Sequence, residues 1–276
     1  MSKCPGLIDS HCHLTAPQFS EDLDEVLRRA QDASVIGINV VGYTVEHSLK
    51  AVELAKRSEN LRASIGVSPH DANKAARDFD LSIRTMAAAN RDSIVAIGET
   101  GLDFHHLISP QDVQIESFVR HIQLAVALKL PLVIHVRDAF NDARKALIEH
   151  NAMQVGGVFH CFTGTPEEAL EAVELGFYVS FSGIVTFKTA RQVRESATAV
   201  PDSRLLVETD APYLAPSPMR GKRNEPAFLV HVIEALARIR NETPKRIGRL
   251  TAENARRLFL PDQGLLGQTP VPATSD

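Results

Sequence analysis

The sequence predicts a single-domain (β/α)8 TIM barrel of the α/β class. Eight short β-prone runs alternate with longer segments whose apolar residues recur at three- and four-residue intervals. A chain of 276 residues suits that fold, which typically takes about 250. The rival, an open doubly wound sheet, usually announces a Gly-rich phosphate turn after its first strand, and "DSHCHLTAP" is not one.

The first run, "LIDSHCHL" from Leu7, ends in His11 and His13. "VIGINVVGY" from Val35 and "LRASIGVSP" from Leu61 follow, separated by the helical patterns "EDLDEVLRRAQDA" and "VEHSLKAVELAKRSE". The fourth run, "IVAIGETGLD" from Ile94, carries Glu99, and the fifth, "LPLVIHVRD" from Leu130, carries His135. "GGVFHCF" from Gly156 brings His160. Next, Thr165 and Pro166 read as the N-cap and first residue of a helix, with Glu167 and Glu168 favourable in its first turn. "YVSFSG" from Tyr178 is the seventh run, and "LLVETDAPY" from Leu205 ends the series at Asp210. The barrel is expected over residues 1–260. The tail 261–276, rich in Pro, Gly and small polar residues, is expected to sit outside the core.

Composition excludes several classes. A net charge of -4 gives no global attraction to nucleic acid or anionic membrane, so a polyanion would need a local basic patch or metal ions. No apolar run is long enough for a transmembrane helix, and "MSKCPGLIDS" lacks a signal-peptide core. Cys4, Cys12 and Cys161 form no CxxC pair, which favours a reducing, cytoplasmic setting.

All strand C-termini of such a barrel open on one face, so His11, His13, Glu99, His135, His160 and Asp210 are expected to converge there. Strand alternation puts His11 and His13 on one face and turns Cys12 away, and the same logic excludes Cys161 beside His160. Imidazole and carboxylate suit Zn, Mn, Fe or Co, and with enough carboxylate and water also Mg. Six ligands exceed what one catalytic zinc takes. They suit two divalent ions, with Glu99 as the bridge, and such a pair points to hydrolysis.

"LIDSHCHL", "IGETGLDF", "LPLVIHVRDA", "FHCFTG", "ETDAPYLAP" and "RGKRNEP" together resemble the TatD-type metal-dependent hydrolases, from about Leu7 to about Leu260. The resemblance implies a divalent-metal barrel of the amidohydrolase superfamily. It also implies an exonuclease-like activity on single-stranded or damaged DNA, or on RNA. It assigns His11, His13, Glu99 and Asp210 to one ion, Glu99, His135 and His160 to the other, and makes Asp210 the general base. No lysine ends the fourth strand, unlike in relatives with a carboxylated-lysine bridge. Where the family often reads "GVHPH", this chain has "GVSPHD": Ser68 replaces the first histidine and His70 is kept. His106 stands near the place of a basic residue often seen after "GLDF".

Asp9 and Glu208 lie two residues before ligands and either orient them or pair on the barrel floor. Asp103 contacts a ligand or substrate, or caps its loop. Arg137, two beyond His135, is expected to face the mouth. Arg220, Lys222 and Arg223 form a basic cluster after the last strand, suited to phosphate or simply solvated. Asn224 completes the family motif beside them. Tyr213 is the only nearby aromatic on which a base could stack. His47, His121, His150 and His231 fall in helical patterns and are expected to be structural or exposed. The expected partner is nucleic acid, single-stranded DNA, RNA or tRNA, for a monomer or small homo-oligomer. Some members of the family are assigned as D-aminoacyl-tRNA deacylases, which leaves that ester, or a small-molecule amide, as the alternative substrate.

Overall fold

Each apolar run becomes one strand of a single parallel sheet, paired in chain order: β1 (Leu7–Cys12), β2 (Val35–Val41), β3 (Leu61–Ile65), β4 (Ile94–Asp103), β5 (Leu132–Arg137), β6 (Gly157–Phe159), β7 (Tyr178–Phe181) and β8 (Leu205–Val207). This is the arrangement in the computed structural model, which describes residues 6–260. The tail 261–276 lies outside the described residues. Between and after the strands run α1 (Leu23–Asp32), α2 (Val45–Ala55), α3 (Phe79–Ala89), α4 (Gln111–Leu128), α5 (Phe140–Glu149), α6 (Pro166–Glu174), α7 (Arg191–Ala199), α8 (Leu229–Ile239) and α9 (Pro244–Phe259). The result is a nearly closed TIM barrel. Thr165 caps α6 as expected: its hydroxyl accepts the Glu168 N–H, while the Glu168 carboxylate accepts the Thr165 N–H.

The helices bury their apolar stripes on the outside of the sheet, where Phe118 and Ile122 of α4 and Leu236 of α8 are fully covered. Each such side chain contributes about 1.5–3 kcal/mol. A second cluster, with Val95, Val133, Val158, Tyr178 and Leu206 from the strands, meets Ala255, Leu258 and Phe259 of α9. It plugs the N-terminal end of the barrel. Above it lies a polar layer: Ser10 hydrogen-bonds Ser180 (3.0 Å), and the Ser64 hydroxyl donates to Asn39 (2.9 Å), whose amide donates to the Ser10 carbonyl (3.1 Å). The ligand candidates stand above that layer.

The barrel's seam is closed by few bonds. The Asp210 N–H donates to the His11 carbonyl (3.0 Å), and the His13 N–H to that of Ala211 (2.8 Å). Beside them the buried Asp9 carboxylate accepts both the N–H (2.9 Å) and the hydroxyl (2.5 Å) of Thr209. A side chain does here what a carbonyl does in the other ladders. Burial pushes the Asp9 carboxyl up to about 7 even though Thr209 and His11 donate to it.

Three expectations need correction. Glu99 does not end its strand, because β4 continues to Asp103. His160, Glu208 and Asp210 lie beyond the ends of β6 and β8, so strand alternation does not govern where they or Cys161 point. Even β1 is irregular. From Asp9 to Cys12 it spends three residues against two on β2, and β4 does the same from Ile97 to Thr100 against β5. Such bulges re-aim side chains next to active sites, and each of these sits at a ligand candidate.

Candidate metal centre

At the barrel mouth the six expected residues come together. Glu99, nearly buried, divides its carboxylate between two histidine pairs. Its Oε2 is 3.7 Å from His11 Nε2 and 3.5 Å from His13 Nε2, and its Oε1 is 3.3 Å from His135 Nδ1 and 3.4 Å from His160 Nε2. Asp210 Oδ1 lies 3.7 and 3.5 Å from the same His11 and His13 nitrogens. Most of these separations are long for hydrogen bonds. They match the edge of a ligand tetrahedron around an ion with bonds of 2.0–2.1 Å, about 3.3–3.4 Å. The residues present therefore fit divalent ions.

The opposite ring nitrogens are largely accounted for. His13 Nδ1–H donates to the Val41 carbonyl (2.9 Å), His135 Nε2–H to Asp103 Oδ2 (3.1 Å), and His160 Nδ1–H to Glu208 Oε1 (3.2 Å). Each bond fixes a tautomer that leaves the inward nitrogen free to ligate. His11 differs, since its Nδ1 is buried without a partner. Burial acts to raise the Glu99 carboxyl, but His135, His160 and His13 outweigh it and hold the group well below the usual carboxylate range.

Glu208 also accepts the Cys161 N–H (2.7 Å), so it orients His160 and pins the loop after β6. Asp9 does not touch the His11 ring; it accepts the His11 backbone N–H at 3.3 Å and serves the seam. Asp103 both caps its loop and meets a candidate ligand. Its Oδ1 accepts the backbone N–H groups of His105 (3.1 Å) and His106 (2.8 Å), while Oδ2 meets His135, His70 (2.8 Å) and His106 (2.9 Å).

A cavity of about 520 Å³ opens over the cluster, lined among others by His70, His106, Arg137, Tyr43 and Tyr213. Arg137 faces the mouth, with Nη1 donating to the Thr163 hydroxyl (2.9 Å). The basic cluster does not line this cleft. Arg223 grips Asp22 (2.7 Å on each oxygen) and the Gln18 carbonyl (2.6 Å), tying the last loop to the segment before α1. Asn224 is fully buried, its amide donating to the Thr209 and Tyr213 carbonyls on either side of Asp210. Both are loop fasteners, which corrects their reading as substrate contacts. Arg220 stacks over Phe187, and Lys222 is exposed.

Sequence reasoning missed Tyr43, whose ring meets His13 edge-on at 5.4 Å and whose hydroxyl bonds His47 Nε2 (2.9 Å). The clue was its place two residues past β2. His47, set aside as a helix residue, thus supports the mouth. Cys161 also lines the cleft, although it belongs to no ligand cluster among the described residues.

A barrel whose mouth gathers four imidazoles and two carboxylates is that of a metal-dependent hydrolase. The chain belongs to the TatD-related DNase family, whose model matches residues 8–260. It is 43% identical to the metal-dependent hydrolase YabD of Bacillus subtilis (strain 168) over 253 residues, covering 92% of this chain and 98% of that one. To the 3'-5' ssDNA/RNA exonuclease TatD of Erwinia billingiae (strain Eb661) it is 36% identical over 259 residues, covering 92% and 98%. The crystal structure of YJJV, a TatD homologue from Escherichia coli K12, superposes with a TM-score of 0.87 at 28% identity, over 92% of this chain and 97% of that one.

Proposed function

We propose that this chain is a two-metal phosphodiesterase that trims single-stranded DNA, with RNA as a related substrate. The division of Glu99 between two histidine pairs carries the reading, because a carboxylate shared in that way suits a bridge between two ions. When bound, such ions lower the pKa of water and offset charge on an in-line displacement. His11, His13, Glu99 and Asp210 would hold one, and Glu99, His135 and His160 the other. Zn, Mn and Mg are the candidates. Asp210, at the rim of the cluster, takes the proton of the attacking water. Arg137 holds a phosphate oxygen, and Tyr43 and Tyr213 offer ring faces to an unpaired base. The name of the Erwinia relative supports the choice of nucleic acid.

The test supplies metal-replete protein with end-labelled single-stranded DNA, and separately with D-aminoacyl-tRNA, beside a Glu99→Ala variant. A metal-dependent ladder of shortened DNA that is absent in the variant is expected. Intact DNA with rapid ester loss would move the substrate to the tRNA 3' end. Near-normal cutting by the variant would remove Glu99 from the chemistry altogether.

A further inference from the structure

Beside the Glu99 cluster, one carboxylate oxygen is crowded by imidazoles. Asp103 Oδ2 has His70 Nε2 at 2.8 Å, His106 Nδ1 at 2.9 Å and His135 Nε2 at 3.1 Å, while Oδ1 already takes two backbone N–H groups. A carboxylate offers about four lone-pair sites, so five donors are one too many. Of the three, His135 has its other nitrogen turned to Glu99 and His160, which suits it to donate to Asp103. His70 and His106 are surplus to orienting it. Both are partly exposed and line the cleft, their ring centroids 5.6 Å apart, whereas Asp103 is fully buried.

The group is also built rather than incidental. Buried Gln114 accepts the Asp103 N–H (2.7 Å) and donates to the carbonyls of Asp103 (3.0 Å) and Ser109 (2.8 Å). The Ser109 hydroxyl donates in turn to the His70 carbonyl (3.1 Å). The loops after β3 and β4 and the first turn of α4 are thereby fixed around one anionic oxygen. Among the described residues, Arg137 is the only Lys or Arg lining the cleft, so the mouth is short of positive charge for a polyanion.

We propose that Asp103, His70 and His106 form a third divalent-cation site, held by Asp103 Oδ2, His70 Nε2 and His106 Nδ1, with open positions toward the cleft. His135 keeps donating to Asp103. Two imidazoles and one carboxylate select a zinc-, cobalt- or nickel-like ion over magnesium. The part that ion would play, holding oxygens of the phosphate next to the scissile one, rests on the phosphodiesterase reading. The site itself does not.

The test is equilibrium dialysis of metal-free protein against Zn²⁺ or Co²⁺, with metal content measured at each free concentration. The wild type is expected to take up a weaker equivalent after the first two. A His70→Asn, His106→Asn double variant, whose amides can still donate to Asp103, should lose that weaker equivalent and keep the others. The Glu99→Ala variant should lose the tight binding and keep the weaker equivalent. Saturation of the wild type at two equivalents would overturn the proposal, as would an unaltered isotherm in the double variant. Equal loss in His105→Asn, a neighbour outside the site, would do the same. If Glu99→Ala binds like wild type, it is the two-metal reading that fails, and the double variant still decides the third site.

Discussion

His121 shows how much one buried side chain can carry. It lies on α4 with no exposed surface, its Nδ1–H donating to the Ser117 carbonyl (2.7 Å) and its Nε2 accepting the Val67 N–H (3.0 Å). That acceptor role requires the neutral ring. Burial lowers its pKa to about 4 from 6.5, so the folded state binds fewer protons than the unfolded chain in that interval. Stability is therefore full above about 6.5 and declines as the pH falls toward about 4, by about 3 kcal/mol in all. His121→Gln can make both bonds without titrating. Urea unfolding of metal-free protein across that range should show a shallower loss in the variant, and an unchanged slope would take His121 out of the account. From the chain it reads as a helix histidine, structural or exposed, and its burial is not decided there. Nor is its partner, because Val67 is 54 residues away in the chain.

Elements pass their geometry on to the site. Gly101 on β4 has φ +134, and a Cβ there would come within 2.0 Å of the His135 carbonyl oxygen. Gly101→Ala should cost at least about 2 kcal/mol through backbone strain and collision, and should displace His135. Thermal melts and retained metal check this together; a variant with normal metal content would show that β5 can yield. In the loop after β8, Asn224→Ala would take the donor from the buried Thr209 carbonyl and from the part-buried Tyr213 carbonyl, costing about 1–3 kcal/mol. Its kcat should fall through a loosened Asp210, with KM little changed, and a rise in KM alone would return Asn224 to the substrate side. Strand order and the convergence of the candidate ligands could be read from the chain because apolar runs alternate with helical ones and the polar residues recur near their ends. Bulges and strand stops could not, since β6 and β8 are only three residues each and end where tertiary bonds, such as Glu208 to Cys161, replace the ladder. The cluster of Arg220, Lys222 and Arg223 looked like a phosphate site because a charge run does not reveal that Asp22, 201 residues earlier, claims Arg223.

For the whole molecule, ions that bind only the folded state should stabilise it by mass action. An excess of 100-fold over the dissociation constant is worth about 2.7 kcal/mol, several degrees of melting temperature for a chain of this size. Chelator should therefore lower the melting temperature, and Glu99→Ala should show little of that response; equal shifts in both proteins would mean that the ions bind elsewhere. The seam gives the last consequence. His11 and Asp210 face each other only once the segment after β8 has reached β1, through Asp9, Thr209 and two backbone bonds. Closing the barrel and bringing Asp210 to His11 and His13 are thus one event. A nascent or truncated polypeptide that stops short of Asp210 has neither a closed barrel nor the complete set of candidate ligands.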